Sequence, residues 1–165
     1  MEIKKLLSLA VLLFFCSSAF SQSDKWASIS YTYSKGPVSP EYQFNFTITI
    51  DNAGVGILSY SKSSITNNYD FSLGKKGMKK LNSALSKSKV FSVNADSMKA
   101  DNSIIGGPTK NLSVTMWQEP NLDQRPTVIQ IPDHVKEKYS ANLNDLYNVI
   151  ENLVPNKVWN KATAQ

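Results

Sequence analysis

Tyr42-Gln43-Phe44-Asn45-Phe46-Thr47-Ile48-Thr49-Ile50 decides the fold. Large side chains at 42, 44, 46, 48 and 50 alternate strictly with polar ones at 43, 45, 47 and 49. A period of two places the whole first set on one face of a strand. One sheet face is then buried and the other meets water, as in antiparallel sheets. Asp51-Asn52-Ala53-Gly54 follows, and this run of turn formers predicts a hairpin. Val55 to Lys62 is the returning strand.

Upstream, Ala27, Ile29, Tyr31 and Tyr33 alternate with Ser28, Ser30 and Thr32, which predicts a strand. Lys35 to Pro40 is a loop, because Gly36, Pro37 and Pro40 break a ladder. Downstream, Ser63 to Asn68 is polar and reads as a loop, and Tyr69, Phe71 and Leu73 mark a fourth strand.

The period then changes. Met78, Leu81, Ala84 and Leu85 share one arc at helical spacing, with Lys75, Lys76, Lys79, Lys80 and Lys87 opposite. This predicts an amphipathic helix from Lys75 to Ser88, weakened by Gly77 in its first turn. Val90 and Phe91 lead out of it beneath the sheet. Ser92 to Lys110 resists reading, apart from a turn within Ile104-Ile105-Gly106-Gly107-Pro108.

Leu112, Val114 and Met116 alternate with Ser113, Thr115 and Trp117 as a fifth strand. Glu119 to Pro126 is an exposed connection, and Val128 to Ile131 a sixth strand. A short helical turn is expected near Asp133 to Tyr139. Leu143, Leu146, Tyr147, Ile150, Leu153 and Val154 form the stripe of a last helix, which Pro155 stops. Residues 155–165 read as a flexible tail. The order is ββββαββα, an α+β domain. Its mainly antiparallel sheet of about six strands carries two helices packed on one face.

Residues 1–21 read as a secretory signal peptide. Lys4 and Lys5 precede the apolar run Leu6 to Phe15, and the small residues Ser17, Ser18, Ala19 and Ser21 follow. The apolar run is too short to span a bilayer, which takes roughly 20 residues. Cleavage is expected after Ser21, as in signals of Gram-negative bacteria. Lipidation of Cys16 is the alternative, and the bulky Phe14 and Phe15 before it fit that poorly. Residues 22–165 then form a single domain of 144 residues (165 less 21), long enough to bury a core. Cys16 is the only cysteine, so this domain has no disulfide or thiol. The signal holds Glu2, Lys4 and Lys5; without it the net charge falls from +5 to +4. That excess is modest and does not argue for nucleic acid.

Catalytic chemistry is thinly represented. His134 is the only histidine and reads as a surface residue near a helix start rather than a general base. No G-x-S-x-G occurs. One histidine and no mature cysteine leave no zinc set, and Asp96 and Asp101 lack the spacing of a calcium loop. Gly106-Gly107-Pro108 lacks the Lys-Ser/Thr of a phosphate loop. No metal or cofactor is expected, and no catalytic residue. A hydrolase pairing two of Asp96, Asp101, Glu119 and Asp123 is the enzymatic alternative. Two surfaces are candidates for binding. One is the lysine face, Lys75, Lys76, Lys79 and Lys80, which reads as a solvated outer face or, as a site, suits an acidic partner or an anionic surface. The other is Trp117 and Arg125 around the Glu119 to Pro126 loop, since Trp and Arg are enriched in binding hot spots.

Several of these features together resemble a known group. They are the Gly turn between Ile50 and Val55, the helix from Met78 to Leu85, Val90-Phe91, and a final helix ending Leu153-Val154-Pro155. The arrangement resembles small exported bacterial domains of unknown function and the emfourin-type inhibitors of thermolysin-like metalloproteases. The resemblance covers most of the chain after the signal and consists of hydrophobic spacing and turns. It implies this fold and a protein partner, with a protease as the sharper version, and matches no inhibitory residue. The Ser92 to Lys110 connection and the Glu119 to Pro126 loop are longer than in that pattern. The expected function is an exported, non-catalytic binding domain. An envelope-associated structural protein on anionic surfaces is the alternative.

Overall fold

The structure is a computed structural model, and it describes residues 26–39, 42–101, 106–117 and 125–164. The expected signal, its cleavage site and Cys16 lie outside the described residues. Six strands form one sheet: β1 (Trp26–Ser34), β2 (Phe44–Asp51), β3 (Val55–Lys62), β4 (Ile65–Ser72), β5 (Thr109–Met116) and β6 (Val128–Ile131). Their spatial order is β4-β3-β2-β1-β5-β6, and every neighbouring pair is antiparallel. Among the described residues four helices accompany them: α1 (Lys75–Lys87), α2 (Ala95–Met98), α3 (Glu137–Leu153) and α4 (Asn156–Thr163). The fold is α+β, as the sequence pattern predicts, and the described residues add α2 and α4 to the two expected helices.

The period of two in β2 is written across the whole sheet. Ile131, Leu112, Tyr31, Ile48, Leu58 and Tyr69 are successive cross-strand partners, one from each strand. The next row is Ile129, Val114, Ile29, Ile50, Gly56 and Phe71. Gly56 is the gap in that row, and the Phe71 ring lies where a β-carbon on Gly56 would stand. Leu81 and Leu85 of α1 and Leu143, Leu146, Tyr147 and Ile150 of α3 pack against these rows in one core. Rows of small polar residues occupy the opposite face, such as Asn111, Thr32, Thr47, Ser59 and Asn68. Among the described residues the helices therefore cover one face.

The β2–β3 turn is as expected. Gly54 sits at φ +86°, its N–H donates to the Asp51 carbonyl at 3.0 Å, and the Asp51 carboxylate accepts from the Val55 N–H at 2.8 Å.

Five local features differ from the sequence reading. Tyr42 precedes β2 and is exposed, because Tyr42 N–H turns back to the Ser39 carbonyl. In β1 the register shifts between Trp26 and Ser28. This bulge brings Trp26, rather than Ala27, into the core, where its indole N–H donates to Asn82 at 3.1 Å. β4 begins at Ile65, inside the stretch that reads as a loop. Ser63 and Ser64 alone make the turn, at φ +51° and +66°, a two-residue hairpin needing no glycine. Asp133 to Lys136 is not helical: Val135 bridges Lys99, and α3 starts at Glu137.

The fifth difference is the tail. Asn156–Thr163 is a helix and not a flexible end. Pro155 ends α3 and starts α4, because a proline suits the first turn of a helix as well as it stops one. Ala162 is fully buried, and the Trp159 ring meets Phe46 edge-on at 4.9 Å. Trp159 also donates its indole N–H to the Glu151 carbonyl at 3.2 Å.

The connection that resists reading contains α2, capped by Asn94, whose side chain accepts from Asp96 N–H at 2.9 Å. Met98 behind it is fully buried. Gly106 and Gly107 make the expected turn before β5, with φ of +92° and +87°.

Candidate binding groove

α1 and α3 lie side by side over the sheet. The start of α1 meets the end of α3: a β-carbon on Gly77 would stand 3.5 Å from Leu153 Cδ2. The helices therefore run antiparallel. Side chains facing the sheet bind them to the core; those facing away leave a groove of about 670 Å³ between them. Such a volume is in the range of ligand sites.

One wall of the groove is Lys76, Lys79, Lys80, Ser83 and Lys87 of α1. The other is Asn142, Asp145, Asn148 and Asn152 of α3. Ala84, Leu146 and Val149 line it between the two. All four lysines are exposed. Three residues of the candidate set from the sequence, Lys76, Lys79 and Lys80, thus share one wall, and Lys87 joins them. Lys75 is exposed on the same helix and does not line the groove. Trp117 and Arg125 do not line it either. They flank the β5–β6 connection, Trp117 with 56 % of its surface exposed. Glu119 and Asp123 fall outside the described residues.

Sequence reasoning does not single out the asparagine wall, where these residues only fill the polar side of a helix. Its signal is the spacing of 142, 145, 148 and 152, at which residues of one helix share an outward face.

α1 carries its lysines at a cost. It has five lysines and no acid among thirteen residues, and Gly74 provides no side-chain cap. Lys75 and Lys76 face the positive end of the helix dipole, an unfavourable placement of about 0.3–1 kcal/mol each. Lys76–Lys80 and Lys75–Lys79 are like pairs at i, i+4, each costing about 0.2–0.5 kcal/mol. Burial of Leu81 and Leu85 holds the helix in spite of this.

A smaller cleft of about 220 Å³ lies between α3 and the loops before β5 and α3. Lys110, Asp133, His134, Ser140, Asn144 and Tyr147 are among its lining residues. Lys110 Nζ donates to Asn144 at 3.4 Å and stands 5.6 Å above the Tyr147 ring. Burial, aided by the nearby Asp133, pushes the Tyr147 phenol up to about 12. His134 contributes its backbone: its carbonyl accepts from the Ala100 N–H at 2.9 Å, tying the α2 region to β6.

Among the described residues, no three His, Cys, Asp or Glu side chains gather closely enough to hold a metal ion. No helix among them is long and apolar enough to cross a membrane. No known protein-family model matches the chain, and no curated protein matches it.

Proposed function

We propose that this chain is an exported, non-catalytic binding domain whose α1–α3 groove captures an acidic segment of a partner protein. The observation that carries the reading is the single-sign wall of Lys76, Lys79, Lys80 and Lys87 along a concave surface. Concentrated like charge raises the local potential and draws in the opposite sign. The lysines destabilise the helix that bears them, and a solvated face has no need of that arrangement. The composition supports a non-catalytic role: one histidine, and one cysteine that lies within the expected signal.

The test is a crosslinking pull-down from native envelope and medium, with wild-type protein and a Lys76→Glu/Lys80→Glu/Lys87→Glu variant as baits. A saturable protein partner is expected on the wild type, weakened by salt and lost from the variant. The variant should stay folded, since a carboxylate at position 76 gains from the dipole in the first turn about what one at position 87 loses in the last. Equal capture by both baits would remove the groove from the reaction. A protease as the partner has its own check: a thermolysin-type enzyme should lose activity in a stoichiometric excess of the domain, and undiminished activity rules that partner class out.

A further inference from the structure

Resting on that reading of the groove, we propose that the partner segment docks as a helix of about three turns, acidic on one flank and aliphatic along its centre. Lys76, Lys80, Ser83 and Lys87 recur at intervals of four, three and four on one wall. Asn142, Asp145, Asn148 and Asn152 recur at three, three and four on the other. Those are the intervals at which a helix presents successive side chains to a neighbouring helix. Two antiparallel seams of this kind flank the half-buried Ala84 and Val149, with the fully buried Leu146 beneath them. A third helix seated between them would bury its aliphatic stripe there. The stretch from Lys76 to Lys87 runs about 16 Å at 1.5 Å per residue, or three turns.

Charge sets the orientation of that helix about its own axis. The α1 wall offers only cations and a hydroxyl; the α3 wall offers three amides and Asp145. Acids on the partner therefore lie toward α1, and neutral polar residues toward α3. An extended peptide fits less well. Strand addition needs unpaired backbone groups on the receiving edge, and both walls here are helices with their backbone bonds made internally. A flat anionic membrane would touch the outward lysines, Lys75 included, without reaching Ala84 and Val149 between the helices.

The test is fluorescence anisotropy of the purified protein with synthetic peptides. The probes are two helix-forming peptides with a leucine stripe and one glutamate flank, one for each chain direction, and a scramble of identical composition. One helical peptide is expected to bind at least about tenfold more tightly than the scramble, a difference of about 1.4 kcal/mol. Lys80→Glu and Lys80→Gln should both weaken it, the first more, while Lys75→Glu changes it by less than about twofold. If the scramble binds as well as the helices, the docked helix is overturned and an acidic segment in the groove stands. If no peptide binds, the helix is again overturned. In that case, pull-down capture unaffected by Lys80→Glu would overturn the groove as well. Vesicles of phosphatidylglycerol that retain the protein, with equal losses from Lys75→Glu and Lys80→Glu, would replace the helix by a membrane surface.

Discussion

At Gly36 the backbone passes through φ +89°, and a β-carbon there would overlap the carbonyl oxygen of Gly107. The two glycines belong to loops that leave β1 and enter β5, whose ladder ends at Ser34 and Thr109. Gly36→Ala should therefore cost at least about 2 kcal/mol, from the left-handed backbone and the displaced loop together. Gly77 lies within α1, and a β-carbon there would make ordinary contacts of 3.4 Å and 3.5 Å with Leu73 and Leu153. Gly77→Ala should gain about 0.5–1 kcal/mol through helix propensity. Urea midpoints of the two variants moving in opposite directions would confirm both assignments; a stabilising Gly36→Ala would refute the loop contact. The sequence shows that Gly36 sits in a loop and not what it touches, since Gly107 stands at the same end of the β1–β5 ladder but far along the chain. Trp26 is hidden for a related reason. Alternation assigns the core position to Ala27, and only the β1–β5 register reveals the bulge that hands it to Trp26.

Among the elements, β2, β5 and α1 are legible because each carries its own period, whereas β3 and β6 carry apolar residues on both faces, with Val55, Ile57 and Val128 exposed, and are legible from the turn or loop before them. β4 is half legible: Tyr69 and Phe71 announce it, while Thr66, Asn67 and Asn68 read as loop. Those polar residues are strand because Ser59 Oγ donates to Asn68 Oδ1 at 2.7 Å and Ser61 meets Thr66 on the open face. α4 escapes the reading because Pro155 looks like a stop and the segment after it is short. Its apolar positions, Val158, Trp159 and Ala162, are at helical spacing, a signal too brief to stand without the sheet beneath it. Trp159→Ala should lower stability by roughly 2–3 kcal/mol, less than a fully buried Trp because the ring is half-buried. A variant that melts with the wild type would mean that α4 does not hold Phe46. The lysine wall is visible in α1 alone, whereas the groove needs α3 beside it. Which outward faces of two helices end up adjacent is fixed by their docking on the sheet, and no local pattern states it.

At the scale of the molecule, two tyrosines couple the sheet to α3. Tyr31 donates to the Glu151 carboxylate at 2.6 Å and stacks on Tyr147 with ring centres 5.0 Å apart. Burial pushes both phenols above their usual value of 10, and the Glu151 partner adds to the rise at Tyr31. Below pH 10 both are protonated whether the chain is folded or not, and stability is fully present. As pH rises past 10 the unfolded chain releases these protons while the folded one keeps them, so stability falls. Each phenol should contribute a slope of about 1.4 kcal/mol per pH unit. Urea unfolding between about pH 9 and pH 11 should show this decline, and Tyr147→Phe should flatten it. An unchanged slope in that variant would place Tyr147 outside the core. The central strand has a further consequence. β1 takes one neighbour from the segment just after it and the other, β5, from far down the chain. A ribosome or export channel delivers residues in order, so β1 through β4 emerge as a meander whose future centre is still a raw edge. That edge is sealed only when Thr109–Met116 arrives, after a long loop has closed. Assembly is postponed until most of the chain is out, and the half-paired interval lasts from the emergence of the meander to that of β5.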